Sequence, residues 1–401
     1  MSSIWAKEPD RINIINSLLH DICSYLNEKA TDTDPSLYRG LAGQLLFQWN
    51  LRKYNESLVD LTRFEKKFDM FQSQMSDLKD ISFGKGLSGC CWLLELLSAE
   101  ADEAEYDQEI NRDFELYLAE TFSDHQWSGD YELVFGLAGY AAFCRRRFIN
   151  NPHEKAYRSI LETLTRSAVN TKDGLSWSTP VSSALRFNCS SDNEFNLGVA
   201  HGVGSAIATL SFALPLIGDE WQQIKGILVR SCQCLLANHN SPEASTFFGY
   251  YAGQTCETRL GWCYGDLSAA WVLSNAASAL KDEAMLSRAK EIALASTHRT
   301  LQESGVDDGG LCHGSSGLFH IYRKLYKKFG LSEFYDAADY WLDYTLSLYR
   351  EKGLSGLNQY VSEQGVSIEN AGLLEGYSGI GLCLLTAVGV DDSWDDCLLL
   401  S

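Results

Sequence analysis

Gly86-Leu-Ser-Gly89-Cys-Cys-Trp-Leu-Leu94 opens a run that is apolar nearly all round, and the same opening recurs from one end of the chain to the other. A glycine, two residues, then glycine or serine stand at Gly40-Leu-Ala-Gly43, Gly136-Leu-Ala-Gly139, Gly202-Val-Gly-Ser205, Gly265-Asp-Leu-Ser268, Gly314-Ser-Ser-Gly317 and Gly376-Tyr-Ser-Gly379. The first glycines are spaced 46, 50, 66, 63, 49 and 62 residues apart. One such motif carries no information, but seven spread over the whole chain mark an internal repeat.

A segment of helical periodicity precedes each motif. Ile15, Leu18, Leu19, Ile22 and Leu26 fall on one helix face before the first, and Phe334, Ala338, Trp341, Tyr344 and Leu348 before the last. Similar segments lie near 57–72, 107–122, 154–168, 220–236 and 283–302. The runs that follow the motifs, such as Ala206-Ile-Ala-Thr-Leu210, are apolar all round, as buried helices are. Each repeat thus reads as an amphipathic outer helix, a loop, a glycine turn and a buried inner helix. Glycine suits a turn where backbones approach closely. The expected fold is all-α, an α/α toroid of seven helix pairs, a double ring of about fourteen helices. All seven turns then lie at one end, and the residues just before each glycine converge on one cavity.

Composition narrows the function. The 401 residues are 45% hydrophobic, enough for a sizeable core. Lys and Arg number 33 against 53 Asp and Glu, a net charge of −20, which disfavours nucleic acid and anionic membrane surfaces as partners. Only 6 residues are proline, consistent with a helical chain. Met1 to Asp10 lacks the basic start and apolar run of a signal peptide, and no apolar stretch is long enough to span a bilayer. Twelve cysteines in such a chain read as reduced thiols in a cytoplasm. The chain reads as a single domain, 1–401, with a polar loop insertion over the cavity mouth at 171–196, and direct insertion into a membrane is not expected.

The residues before the glycines carry the chemistry. Arg39, Lys85, Phe135 and Glu375 read as ordinary there. His201 directly precedes Gly202, Cys263 lies two residues before Gly265, and Cys312 and His313 occupy both positions before Gly314. A closed ring brings these four into one cavity. Two thiolates and an imidazole suit zinc, and three protein ligands leave a fourth position open, as in catalytic sites. Spacing alone is a weak signal, because 49 residues separate the two cysteines, but their equivalent places in adjacent repeats strengthen it. His201 is left either as a fourth ligand or as an acid/base group. The remaining cysteines have no partner in register and read as small core residues.

At these residues the chain resembles the LanC-like lanthionine synthetases, the cyclases of class I lanthipeptide biosynthesis. The matching stretches are Asn196-Leu-Gly-Val-Ala-His201-Gly, Arg259-Leu-Gly-Trp-Cys263-Tyr-Gly, Gly310-Leu-Cys312-His313-Gly and the seven glycine motifs, which together cover nearly the full chain. The resemblance implies an α/α toroid holding one Zn²⁺ per chain on Cys263, Cys312 and His313. It implies an acid/base role for His201, a supporting role for Arg259 and a lesser one for Tyr264. The family's carboxylate before the third motif, usually Asp, aligns with Glu132, with Asp130 close by as the other candidate.

The implied reaction is Michael-type addition of a peptide Cys thiol to dehydroalanine or dehydrobutyrine, giving a (methyl)lanthionine thioether. Its substrate is a dehydrated precursor peptide, and a lanthipeptide dehydratase and a transporter are the expected protein partners. Three other readings remain at this point. A related protein adding glutathione or other thiols to dehydrated residues shares the same zinc chemistry. A non-catalytic peptide-binding scaffold has no need of the ligands. A prenyltransferase-like zinc toroid requires a Lys/Arg cluster near the glycine motifs, and none is expected there.

Overall fold

The computed structural model describes residues 4–28, 33–100, 107, 109–124, 126–151, 155–179, 195–218 and 222–401. Its helices, in chain order, are α1 (Pro9–Glu28), α2 (Leu41–Tyr54), α3 (Leu61–Met75), α4 (Leu87–Glu100), α5 (Arg112–Thr121), α6 (Leu137–Asn150), α7 (Lys155–Arg166), α8 (Val203–Ile217), α9 (Gln222–Ala237), α10 (Asp266–Leu280), α11 (Glu283–Ser296), the single turn α12 (Leu301–Ser304), α13 (Ser315–Phe329), α14 (Ser332–Lys352) and α15 (Tyr377–Ala387). The helices α2, α4, α6, α8, α10, α13 and α15 begin directly at the seven glycine motifs. Each packs on the next of these in the chain, and α15 packs on α2, so the inner ring is closed. The amphipathic helices lie outside it. In α1 the residues Ile15, Leu18, Leu19, Ile22 and Leu26 are all buried, as their spacing requires.

Two small antiparallel hairpins interrupt the helices: β1 (Val169–Thr171) with β2 (Gly174–Ser176), and β3 (Gln359–Val361) with β4 (Val366–Ile368). The first corrects the reading of 171–196 as irregular from its start, because Thr171 pairs with Gly174 and β2 packs on α9. Residues 180–194 of that stretch lie outside the described residues.

The turns share one construction. Six residues before the first glycine stand Asp34, Asp80, Asp130, Asn196, Asp308 and Asn370, in six of the seven repeats. In each of these six the backbone carbonyl accepts from the first N–H of the inner helix, for example Leu41 N–H to Asp34 at 2.7 Å and Tyr377 N–H to Asn370 at 2.8 Å. In five, a side-chain oxygen also accepts from the N–H two residues on, as Asp80 does from Ser82 at 2.8 Å. This supplies the helix N-terminus with acceptors that its glycine cap lacks. The second glycine admits the neighbouring turn. A Cβ on Gly89 would lie 2.9 Å from Leu37 Cβ, one on Gly139 2.5 Å from Phe83 Cβ, and one on Gly43 3.0 Å from Leu373 Cβ, the last across the closure of the ring.

Backbone hydrogen bonds then link turn to turn. Tyr38 N–H donates to Gly84 O (3.2 Å), Gly84 to Val134 (2.8 Å), Ala200 to Cys263 (3.3 Å), Trp262 to Cys312 (2.7 Å), Cys312 to Leu374 (2.7 Å), and Leu374 back to Tyr38 (3.3 Å). Six of the seven junctions are bridged in this way.

Residues Trp394 to Leu400 are buried against the ring. Tyr38 Oη donates to Cys397 O (2.7 Å) and Trp262 Nε1 to Leu398 O (2.8 Å). Asp395, fully buried, accepts from His320 Nε2 (2.6 Å) and Lys324 Nζ (2.7 Å), and Arg146 pairs with Asp396 at 2.7 Å. Burial pulls the His320 imidazole down to about 4, against the opposing attraction of Asp395. The unfolded chain therefore binds more protons than the folded one between about 4 and the ordinary value of 6.5. His320 costs nothing above that window and destabilises progressively as pH falls through it. Urea unfolding at a series of pH values should show the wild type losing up to about 3 kcal/mol more than His320→Gln between pH 7 and pH 4. Parallel curves for the two proteins would show that the imidazole does not titrate there.

Candidate metal centre and active site

A cavity of about 240 Å³ opens at the end of the ring where the turns lie. Every repeat contributes to its wall, through Arg39, Lys85, Phe135, His201, Cys263, Cys312 and Glu375 together with their neighbours. The convergence expected from the repeat register is therefore present. It also corrects the reading of Arg39, Lys85, Phe135 and Glu375 as ordinary, because all four line the cavity, and it places Arg39 and Lys85 together where no Lys/Arg cluster was expected. Nothing in the composition of those positions marks them; only ring closure places them.

Cys263, Cys312 and His313 form one cluster, with one potential ligand atom from each and all three atoms within 4.8 Å of one another. The turn-to-turn bond from Trp262 N–H to Cys312 O holds the two cysteine-bearing turns together, with His313 Nδ1 4.0 Å from Cys263 Sγ. Both cysteines are buried. The Cys312 thiol, as hydrogen-bond donor, holds Cys263 well below its ordinary value, aided by His313 and by the positive charge of Arg259. Two soft sulfurs and one imidazole nitrogen at this separation fit zinc by the chemistry of the donor set.

Cys263 sits in a turn that departs from the other six. Its glycine, Gly265, has φ +91°, a backbone conformation that side-chain-bearing residues rarely adopt, whereas Gly40, Gly136, Gly202, Gly314 and Gly376 are extended. Six residues before Gly265 the usual Asp or Asn is replaced by Arg259. Other groups support this turn: Asp266 accepts from Phe247 N (3.0 Å) and Phe248 N (2.8 Å), and Thr258 Oγ1 donates to Phe248 O (3.0 Å). Arg259 is half-buried, and its charge reaches both Cys263 and Cys312.

The seventh junction of the ring is different again. Four residues before the first glycine, the other repeats have only serine or glycine, Ser36, Ser82, Gly198, Gly261, Gly310 and Gly372, but the third has Glu132. Its buried carboxylate accepts from Val134 N (3.1 Å) and Phe135 N (2.6 Å), and His201 Nδ1 lies 2.7 Å from Oε2. The carboxylate thus takes the N–H that elsewhere bonds to the next turn, and bridges the junction by holding His201. Asp130, by contrast, occupies the position of Asp34 and Asp80, and its carbonyl accepts from Leu137 N and Trp127 Nε1. The structure therefore brings Glu132, not the scaffold residue Asp130, to the imidazole. Comparing the turns position by position carries this signal, and carries the exception at Arg259 as well.

Phe135 lies nearly parallel to His201 with centroids 6.3 Å apart, and the Tyr264 ring, tilted by 42°, has its centroid 6.5 Å from the imidazole. Tyr264 Oη accepts from Asn196 Nδ2 at 2.8 Å, and burial raises its pKa, so it stays a neutral phenol. Glu375 Oε2 accepts from Gln359 Nε2 at 2.6 Å. Among the described residues no helix is long and apolar enough to cross a membrane, and eleven cysteines are free thiols.

A sequence profile of the family described as lanthionine synthetase C-like protein matches residues 31–399. Among solved structures the fold is similar to that of nisin cyclase, with a TM-score of 0.74 and 19% identity over 97% of this chain and 98% of that one. A sugar epimerase from a ruminal bacterium (TM-score 0.46, 10% identity, 95% and 99% of the chains) also matches. So does cellobiose 2-epimerase from Bacillus thermoamylovorans (0.48, 10%, 94% and 98%), but both scores are too low to bear on this chain. The chain belongs to the lanthionine synthetase C-like family.

Because a carboxylate only accepts, the neutral His201 ring must carry its proton on Nδ1, which puts its lone pair on Nε2. Nitrogen-15 NMR of the imidazoles should show His201 as the Nδ1–H tautomer in the wild type. Glu132→Ala should lose that preference. An Nε2–H tautomer in the wild type would contradict the hydrogen bond.

Proposed function

We propose that this member of the family is a lanthipeptide cyclase, adding Cys thiols of a dehydrated precursor peptide to dehydroalanine or dehydrobutyrine. The observation that carries the reading is one cavity lined by Cys263 and Cys312, with His313 clustered beside them, and by an imidazole, His201, fixed by a buried carboxylate. Bound Zn²⁺, held by those three residues, would lower the pKa of an incoming thiol and keep it nucleophilic at neutral pH.

His201 takes the thiol proton on Nε2, while Glu132 holds Nδ1–H and stabilises the imidazolium that results. The sulfur then bonds to the β-carbon of the dehydro residue, and the electron pair of the double bond moves through the α-carbon onto the carbonyl oxygen. Arg259, whose charge already reaches the cysteine pair, steadies that enolate. The imidazolium returns its proton to the α-carbon, so the thiol proton ends in the product and the base is regenerated. Phe135 and Tyr264 flank the imidazole and restrict the directions from which a peptide reaches it.

The inner ring needs all seven pairs to close, which supports the whole chain, 1–401, as the functional unit. Free thiols at the site favour a reducing compartment, and we place the protein in the cytoplasm, where a dehydratase would supply the substrate and a transporter would remove the product.

Purified wild type should contain about one zinc per chain by elemental analysis, and Cys312→Ala should lose both the metal and cyclisation. His201→Ala should keep the metal and lose turnover by about 10²- to 10⁴-fold. Glu132→Gln should reduce turnover more than Asp130→Asn does. Wild-type protein that takes up no zinc on reconstitution, yet binds peptide, would replace this reading with a scaffold.

A further inference from the structure

The cavity wall has two sides. His201, Cys263 and Cys312 occupy three consecutive positions of the seven-membered ring, and Arg39 and Lys85 occupy two consecutive positions facing them. Among the described residues neither cation pairs with a carboxylate or makes a side-chain hydrogen bond. Both charges thus stand on the cavity wall without a carboxylate partner, in a chain with 53 acidic residues to 33 basic ones. The carboxylate on the cavity wall, Glu375 in the turn beside Arg39, accepts from Gln359 Nε2. Lys85 Nζ sits 5.1 Å from the centroid of the Phe135 ring, which itself lies parallel to His201. A chain of contact therefore runs from Lys85 through an apolar platform to the imidazole. Both cations are exposed to the cavity mouth rather than buried, so neither needs an internal counter-charge.

We propose that Arg39 and Lys85 form an anion subsite that receives a carboxylate of the substrate, so that the protein selects thiol peptides with an acidic group close to the reacting cysteine. The planar guanidinium offers a two-pronged match to a carboxylate, and the lysine adds a mobile point charge beside it. The commitment to a carboxylate rests on the cyclase reading above, because carboxylates are the anionic groups of an unmodified peptide. In a cavity of about 240 Å³, an anion seated on one wall brings the neighbouring side chain to the other. The subsite thus acts on which cysteine is presented, and does not take part in bond formation.

The test uses two peptides that differ only in Asp or Asn beside a single cysteine. Binding of the forms without a dehydro residue is measured by calorimetry, which requires no chemistry. Cyclisation of the dehydrated forms is measured in competition in one vessel. Wild type should favour the Asp peptide by about tenfold in both assays. Added salt should narrow the difference, since the cations are solvent-accessible. In the double variant Arg39→Gln/Lys85→Gln the ratio should fall close to one, in protein whose thermal midpoint and metal content match wild type. Equal binding of the two peptides by wild type, a preference that survives the double substitution, or no binding of either peptide would overturn the subsite. A binding preference that is lost in the variant, without cyclisation by any form, would keep the subsite and overturn the cyclase reading. Inorganic phosphate serves as a further arm. If it displaces the Asp peptide at concentrations where acetate does not, the subsite is built for phosphate and the carboxylate assignment is wrong.

Discussion

The backbone hydrogen bonds between consecutive turns are the constraint on which the rest depends. Each inner helix starts at the cavity wall, where peptide groups are cut off from the helix ladder and must find partners elsewhere. The solution is nearly circular: at six of the seven junctions a turn borrows its acceptor from the next, the last returning to the first through Leu374 and Tyr38, and at the remaining one Glu132 bridges to His201. The second glycines allow that approach, because a side chain there would collide with the neighbouring turn. The spacing of the seven turns, and so the width of the cavity, is set by main-chain geometry and hardly at all by the side chains that line it. Those side chains are consequently free to differ, and they run from Arg39 and Lys85 to Phe135, His201, Cys263, Cys312 and Glu375.

The candidate site residues stand where the repeat is broken. At the third turn Glu132 replaces a serine or glycine and diverts one N–H from the ring to itself, and the same carboxylate then orients His201. At the fifth, Arg259 replaces the carboxylate or amide that supports the other turns, and Gly265 takes a backbone conformation none of the others needs. Asp266, Thr258 and the loop around Phe247 and Phe248 supply the missing support. A regular scaffold gives up regularity at these two turns, and neighbouring residues make good the loss.

Much of this was legible in the sequence, for definite reasons. Helix pairing shows in the contrast between one-sided segments such as Ile15–Leu26 and all-round apolar runs such as Ala206–Leu210. The Cys263–Cys312–His313 cluster shows because register in a ring is equivalent to proximity. The choice between Glu132 and Asp130 does not show from charge or from the distance to Gly136. It needs all seven turns to be compared at the same offset, which reveals Asp130 as scaffold. The register placed Arg39 and Lys85 at the cavity as well, but both are types most common on solvated surfaces, so nothing in the sequence marked them as more than ordinary there. The hairpin at Val169–Ser176 is too short to alternate clearly. The Trp394–Leu400 segment is held by Tyr38, Trp262, His320 and Lys324, all distant in the chain, and no local period announces its burial.

The common starting point of the inner helices has an electrostatic result. A helix N-terminus carries roughly +0.5 of an elementary charge, reduced wherever its first N–H groups are already bonded. Here seven such ends surround one opening, and the residual field of each points the same way. In a protein whose formal charge is −20, the cavity holding the cysteine pair thus receives a positive contribution that opposes the charge of the whole. The fold itself favours negative charge at the cavity before any side chain or ion contributes. This bias belongs to the ring architecture, so substitution of lining residues would leave it in place.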